Sequence, residues 1–240
     1  MSSSLHHDLK RFLRFWSEER SLTALLILLL LYMFVILPTT RSSQVFALIG
    51  LPLFALMMLA GLLTMARTRI LQTVSGIFVI SAVSVRVSRV VFGVPGILQW
   101  DALFSILSIT GMVVVVLWQV YREGPVTGHR IRGAIAAYLL IGMSFAFAYA
   151  VIASLVPGSF HLPAWASQPV ADRAETFLYF SLVTLTTAGY GDITAIDPFA
   201  RSLATLEALI GQLYPAILIA RLVSLQIQNP PKKKSGGEAS

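Results

Sequence analysis

Nine consecutive residues, Thr184 to Asp192, carry the most specific chemical signal in the chain. They read TLTTAGYGD and follow directly on a short apolar segment, Thr176 to Leu185. Backbone carbonyl oxygens can replace the water shell of a dehydrated cation only if successive residues aim inward, which requires alternating backbone handedness. Gly189 and Gly191 allow that alternation at every second position, because neither has a β-carbon. The stretch therefore predicts a loop of carbonyl ligands for a cation, with the Thr187 hydroxyl as a further oxygen.

The residues around this loop would hold it in place. Tyr190 can turn its ring away from the ion path and wedge the loop open. The apolar segment 176–185 makes a helix of only about 15 Å, which cannot cross a bilayer, so we predict a re-entrant helix. Its C-terminal end carries partial negative charge and can face a cation. A plain interfacial helix is the alternative interpretation of this segment.

The composition places the loop in a membrane protein. Of 240 residues, 12% are charged and 56% are hydrophobic, and the mean hydropathy is +0.78. Soluble domains carry about 25% charged residues, and one small core could not hide so much apolar surface. Soluble enzymes and nucleic-acid-binding proteins are therefore disfavoured despite a net charge of +7. The absence of cysteine excludes disulfide frameworks and cysteine-ligated zinc sites.

Charge-free runs predict an all-α membrane protein with six spans, because about 20 residues of helix cross the hydrocarbon core. The first five predicted spans are Ser21–Thr40, Ser42–Ala66, Ile70–Val85 (continuing toward Val90), Ala102–Tyr121 and Arg132–Val156. The sixth is roughly Pro198–Ile227, which is interrupted by Glu207 and ends near Arg221. The re-entrant helix lies between the fifth and sixth spans. The predicted units are a basic N-terminal segment 1–20, a four-helix module 21–121, a pore domain 122–229 and a disordered basic tail 230–240.

The placement of Lys and Arg predicts the orientation. With the N-terminus inside, 13 of the 18 basic residues fall on the inner side, and the outer five are Arg41, Arg86, Arg89, Arg173 and Arg201. We therefore expect a multi-pass protein of the cell's plasma membrane with both termini cytoplasmic and no cleavable signal peptide. Basic residues at both ends could contact membrane lipids; the alternatives are a solvated lead-in to the first span and tail lysines that only hold the topology. The positive charge is mainly a topology signal, and no nucleic-acid partner is expected.

The stretch Thr184 to Asp192 resembles the selectivity filter of the tetrameric potassium channels, whose consensus reads T-x-x-T-x-G-Y-G-D. The resemblance covers roughly Arg130 to Ile227 and is much weaker over the first four spans. It implies passive K⁺ conduction by a non-enzymatic protein without a cofactor, in which filter residues bind the permeant ions: Thr187, Ala188, Gly189, Tyr190 and Gly191. The carbonyls of 187–190 would be the K⁺ ligands, with Thr186 and Asp192 supporting the filter.

One chain supplies one filter strand, so the resemblance implies a fourfold homotetramer. Ala188 replaces the usual Val or Ile, and Val183 stands where some members carry a glutamate that partners the filter aspartate. Tyr179 and Phe180 stand where many members have paired tryptophans, so at least one hydrogen-bond donor is missing there. We expect these departures to affect filter rigidity rather than K⁺ selectivity.

The last span carries the candidate gate. Gly211 and Pro215 lower the resistance of the helix to bending, which predicts a hinge; the alternative is that Gly211 only permits close helix packing. Gln212 is predicted to line the cavity. Glu207 is a costly carboxylate at membrane depth. It could modulate gating or brace the filter, or it could simply be satisfied by a hydrogen bond to the re-entrant helix or a neighbouring subunit.

The first four spans lack a voltage-sensor pattern. The fourth span, Ala102–Tyr121, has no Arg or Lys, and Arg86 and Arg89 at the end of the third are expected to snorkel to the outer interface. We therefore expect weak or no voltage dependence. Only about a dozen residues follow Gln228, so we expect no ligand-binding domain in cis and regulation by lipid, pH, the first four spans or a separate partner.

Two other functions fit parts of the sequence. Gly189 to Asp192 also matches the G-x-G-D signature of some intramembrane aspartyl proteases, which would need a second aspartate; Asp101 is the distant candidate. The second alternative function is that of a cation transporter subunit with a filter-like loop. Such transporters usually carry four imperfect pore repeats, and this chain has one.

Overall fold

The computed structural model describes residues 21–39, 44–64, 69–92, 98–121, 128–166 and 174–228. The predicted N-terminal segment 1–20 and tail 230–240 lie outside these residues. Helix α1 (Ser21–Leu31) continues through a π-helical segment (Tyr32–Ile36) and a closing turn (Leu37–Thr39). The later helices are α2 (Gln44–Thr64), α3 (Arg69–Phe92), α4 (Leu98–Tyr121), α5 (Gly128–Leu155), α6 (Ala174–Leu185) and α7 (Pro198–Gln228).

Within the described part of the chain, four helical stretches are long and apolar enough to cross a bilayer. They are Leu22–Thr39, Trp100–Tyr121, Arg130–Leu155 and Pro198–Ile227. Helices α2 and α3 contain shorter apolar stretches, Ile49–Gly61 and Val79–Ser88, although the helices themselves have 21 and 24 residues. The protein is thus a mostly helical, multi-pass membrane protein.

The helices before residue 122 pack against α5 of the same chain. A β-carbon on Gly133 of α5 would lie 2.9 Å from Leu22 of α1 and 3.2 Å from Val120 of α4, so this glycine lets three helices approach closely. Farther along α5, the hydroxyl groups of Ser144 and Thr110 lie 2.8 Å apart. The contacts at both places join the N-terminal helices to α5 of their own chain.

Arg86 is buried in this interface, with only 7% of its surface exposed. Its Nε donates to Asp101 Oδ1 of α4 at 3.1 Å, and its Nη1 donates to the Tyr32 hydroxyl at 3.0 Å. The guanidinium also lies 3.9 Å from the centre of the Phe54 ring. The prediction that Arg86 snorkels to the outer interface is therefore wrong, because Asp101 gives it a charge partner in the interior. The side chain of Arg89 lies outside the described residues.

A small β-structure brackets the segment between α5 and α7. Strand β1 (Phe160–His161) pairs antiparallel with β2 (Thr194–Ala195), with Phe160 opposite Ala195. The Phe160 ring packs edge-on against three buried rings of α5 and α6, those of Tyr149, Phe177 and Phe180. Asp197 Oδ1 then caps α7 by accepting the amides of Phe199 and Ala200 at 2.9 and 3.1 Å. These contacts fix both ends of the loop that follows α6.

Candidate functional site: the loop between α6 and α7

The loop is bonded directly to the end of α6. The last carbonyl groups of a helix have no partner within it, and here the loop supplies partners for three of them. The Thr186 amide donates to Leu182, the Thr187 amide to Thr184, and the amides of Ala188 and Gly189 both to Val183, over 2.9 to 3.3 Å. The Thr186 hydroxyl also donates to the Leu182 carbonyl at 2.7 Å. Thr186, predicted to support the filter, thus joins the loop to the helix.

The backbone of the loop alternates in handedness. The φ angles of Thr187, Gly189 and Gly191 are +58°, +56° and +79°, whereas Ala188 and Tyr190 between them are not left-handed. This is the every-second-residue pattern expected from the two glycines. The left-handed Thr187 was not foreseen, and a residue with a β-carbon pays about 1–2 kcal/mol for that conformation. Its position two residues before Gly189, in step with the glycines, is the sequence signal that could have revealed it.

The carbonyl oxygens of the loop are available to a ligand. Among the described residues, none donates a hydrogen bond to the carbonyls of 187–190. The side chains of 186–191 are exposed in the isolated chain, and Tyr190 is 72% exposed. No group of three His, Asp or Glu residues that could hold a metal ion occurs in the described ranges. The carbonyl oxygens of 187–190 are therefore available as ligands for a cation.

Asp192 is held by α6 and by the backbone that follows it. The Tyr179 hydroxyl donates to Asp192 Oδ2 at 2.9 Å, and the Ile193 amide donates to Oδ1 at 3.1 Å. The Tyr179 ring also stacks on Tyr190, with centroids 6.5 Å apart. Burial and the hydrogen bond to Asp192 raise the pKa of the Tyr179 phenol, so it remains a donor at neutral pH. Of the two positions where the potassium channels that this sequence resembles often carry tryptophan, Tyr179 thus supplies a hydrogen-bond donor and Phe180 does not.

Glu207 lies in the interior behind the loop and is completely buried. It accepts a hydrogen bond of 2.6 Å from the Tyr149 hydroxyl of α5, and its other oxygen contacts the Ser181 hydroxyl of α6. The predicted hydrogen bond to the re-entrant helix is therefore present. The carboxyl group faces α5 and α6 and does not share the exposed surface of Gln212.

Gly211 is buried where α7 crosses the end of α6. A β-carbon there would lie 1.8 Å from the Leu185 carbonyl oxygen, so the packing interpretation of this glycine holds in the structure. Pro215 lies inside α7, which continues to Gln228. The bending of α7 at Gly211 and Pro215 stays a prediction. Gln212 is exposed on α7, and so are seven large apolar side chains along the same helix: Leu206, Leu209, Leu213, Ile217, Ile219, Val223 and Ile227.

The two aspartates of the protease hypothesis have separate partners. Asp101 pairs with Arg86, and Asp192 accepts from Tyr179 and from the Ile193 amide. A protease dyad requires two carboxyl groups that share a proton. The hydrogen bonds of these two aspartates give neither of them that role.

Comparisons with known proteins locate a channel domain at this site. Residues 139–227 match the family model Ion_trans_2, described as "Ion channel". The chain is 42% identical over 88 residues to "Two pore potassium channel c" of Oryza sativa subsp. japonica, covering 37% of this chain and 17% of that protein. It is 35% identical over 91 residues to "Protein LctB" of Bacillus caldotenax, covering 36% of this chain and 64% of that protein.

A further relative covers a shorter stretch. "Protein LctB" of Geobacillus stearothermophilus is 43% identical over 49 residues, which is 20% of this chain and 36% of that protein. The chain thus covers less than two thirds of the length of each of these relatives. The family model and these relatives together indicate a membrane protein with an ion channel domain in residues 139–227.

Proposed function

We propose that the chain forms a homotetrameric potassium channel that conducts K⁺ passively through a filter built from 187–191. The observation that carries this proposal is the alternating φ of Thr187, Gly189 and Gly191 together with the unoccupied hydrogen-bonding capacity of the carbonyls of 187–190. Four copies of such a loop around one axis would surround an ion with oxygen ligands and replace its water. Ala188 and Tyr190 contribute their carbonyls between the three left-handed residues.

K⁺ is the cation favoured by two observations. The loop carries TTAGYGD, the filter pattern described above. The relative from rice, whose name is that of a potassium channel, shares 42% identity over 88 residues. K⁺ ions in the filter are the permeant substrate, and we propose no cofactor.

The surface of α7 supports assembly from several chains. In the apolar stretch Pro198–Ile227 of α7, only 11% of the residues are buried, whereas 56% are buried in the stretch Arg130–Leu155 of α5. A helix that touches lipid on one side only would bury more, so we propose that α7 also faces neighbouring subunits and the central cavity. Gln212 would lie in that cavity, and bending at Gly211 and Pro215 would open its inner end.

We further propose six spans, with α2 and α3 as the second and third and both termini in the cytoplasm. At 1.5 Å per residue, helices of 21 and 24 residues reach the thickness of a hydrocarbon core. Voltage dependence would be weak or absent. Arg86 is paired with Asp101 in the interior, and α4 carries no basic residue from Ala102 to Tyr121. Within the described residues, the charge of Arg86 is therefore not free to move far in the field.

The test is cation flux in vesicles that contain the purified protein, with K⁺ or Na⁺ gradients as the only driving force. We expect passive K⁺ flux well above Na⁺ flux, and loss of the difference in Gly189→Ala. Gly189 has φ = +56° but no atom within 4 Å of a built β-carbon, so alanine would strain the loop without a clash. Gly111→Ala in α4, where a β-carbon also meets nothing within 4 Å, is the matched control. Equal K⁺ and Na⁺ fluxes in the unmodified protein would contradict the proposal.

A further inference from the structure

A chain of short hydrogen bonds behind the filter joins α5, α6 and α7. The Tyr149 hydroxyl lies 2.6 Å from Glu207 Oε2, and Ser181 Oγ contacts Glu207 Oε1. The same Ser181 Oγ lies 2.6 Å from the Gly142 carbonyl oxygen of α5. Tyr149, Ser181 and Glu207 are each 0% exposed, so water cannot complete or relieve any of these contacts.

The number of protons in this chain of contacts fixes the charge of Glu207. Tyr149 and Ser181 each have one hydroxyl proton, and a carbonyl oxygen has none. The Gly142 contact therefore uses the Ser181 proton, and the Tyr149 proton lies on the contact with Oε2. The remaining contact, between Glu207 Oε1 and Ser181 Oγ, becomes a hydrogen bond only if Glu207 itself carries a proton and donates it. With an ionised carboxylate, one Ser181 contact would bring two oxygens together with no proton between them.

The groups around Glu207 also favour its protonated, neutral form. On α5 they are Tyr149 and Tyr138, the second within electrostatic range of the carboxyl, and on α6 the contacting group is Ser181. In the described part of the chain, no Lys, Arg, His or Asp of α5, α6 or α7 is in ion-pair or hydrogen-bond contact with it. A buried carboxylate without a cation is costly, whereas a neutral carboxylic acid with both oxygens bonded is not.

We propose that Glu207 is a positioning residue that acts as a neutral carboxylic acid, donating its proton to Ser181 and accepting one from Tyr149. Ser181 lies one helical turn before Leu185, where α6 ends and the filter loop begins. Protonated Glu207 thus holds α6 against α5 and α7, and removal of its proton frees the helix that carries the filter. The consequence for conduction, a fall in K⁺ flux at alkaline pH, rests on the proposed channel function.

Infrared difference spectroscopy on the purified protein in lipid tests the protonation without any ion flux. The carbonyl stretch of a protonated carboxylic acid should be present at neutral pH and lost in Glu207→Gln. Asp197→Asn is the matched control and should retain the band. Asp197 accepts two backbone amides at the start of α7, and asparagine caps helices about as well. A spectrum unchanged by Glu207→Gln would overturn the proposal.

The pH profile of K⁺ flux tests the coupling to the filter. We expect flux of the unmodified protein to fall over the pH range in which the acid band disappears, and Glu207→Gln to conduct without that fall. Glutamine keeps a donor for Ser181 and an acceptor for Tyr149. The same alkaline fall in Glu207→Gln would overturn the coupling. Absence of selective K⁺ flux at every pH would instead contradict the channel proposal, and the infrared result would still decide the protonation.

Discussion

Gly211 of α7 lies directly against the carbonyl group of Leu185 at the end of α6. A β-carbon built on the glycine would be 1.8 Å from the carbonyl oxygen and 2.7 Å from the carbonyl carbon. The same oxygen accepts a hydrogen bond of 3.0 Å from the Tyr138 hydroxyl of α5, and the Tyr138 ring packs at a tilt against the ring of Tyr214 of α7. Helices α5, α6 and α7 thus meet at Leu185, the residue before Thr186. A shift of α7 would therefore displace the start of the loop.

Replacing Gly211 by alanine should disrupt this junction. The obstacle is backbone, which cannot rotate away as a side chain can, and overpacking of this kind costs about 1–3 kcal/mol or more. We expect Gly211→Ala to lower the thermal unfolding temperature in detergent and to reduce K⁺ flux. Gly111→Ala, where a β-carbon meets nothing within 4 Å, should do neither. If Gly211→Ala unfolded at the temperature of the unmodified protein, close packing at this site would be refuted.

The hydrogen bond between Tyr179 and Asp192 should stabilise the loop. Hydrogen bonds to charged groups contribute about 1.5–3 kcal/mol, and this one joins α6 to the residue that follows Gly191. We expect Tyr179→Phe to lower the ratio of K⁺ to Na⁺ flux and to shorten the time for which K⁺ flux persists.

A double-mutant cycle separates this bond from other effects of the two substitutions. Asp192→Asn removes the charge, and Tyr179→Phe with Asp192→Asn removes both partners. The loss in the double variant should be smaller than the sum of the two single losses. Additive losses would mean that the two side chains act independently, against the 2.9 Å contact.

The sequence was sufficient to predict the helices that frame the site. The charge-free run from Ala102 ends at Tyr121, as α4 does, and the run beginning at Pro198 coincides with α7. The short segment 176–185 is helical over nearly the same residues. These elements follow largely from local rules, because apolar character can be followed along the chain. Helix α4 nevertheless begins at Leu98, ahead of Asp101. They could be predicted without knowledge of their neighbours.

Partners across helices could not be predicted in the same way. Arg86 and Asp101 are 15 residues apart on different helices, and only the packing of α3 on α4 brings them together. Alone, each resembles an interfacial charge, which is why Arg86 was expected at the membrane surface. The Tyr149 contact of Glu207 spans 58 residues and was likewise hidden, although the need of a buried carboxyl for a partner was evident from the sequence.

Removing one partner of the buried Arg86–Asp101 pair should destabilise the helices before residue 122. Loss of one partner leaves an uncompensated buried charge and costs about 3–5 kcal/mol. We expect Arg86→Met and Asp101→Leu each to lower the unfolding temperature markedly, and the two together to restore much of it. Arg132→Met is the control, because Arg132 is exposed and its bond to Thr23 lies at the surface, where such contacts contribute little. Equal effects of Arg86→Met and Arg132→Met would contradict the buried pairing.

Thr187 should be needed for its hydroxyl oxygen and not for its methyl group. Its backbone is left-handed at φ = +58°, which a β-branched residue adopts only when the surrounding contacts hold it there. In the proposed filter the hydroxyl adds ion ligands below the carbonyls. Thr187→Ser keeps this oxygen and removes the branch, so K⁺ flux and its excess over Na⁺ flux should be preserved. Thr187→Ala also removes the branch at the β-carbon, but it removes the hydroxyl oxygen as well, so K⁺ flux should fall. Equal fluxes in the two variants, measured in the same vesicles, would assign the residue a purely conformational role.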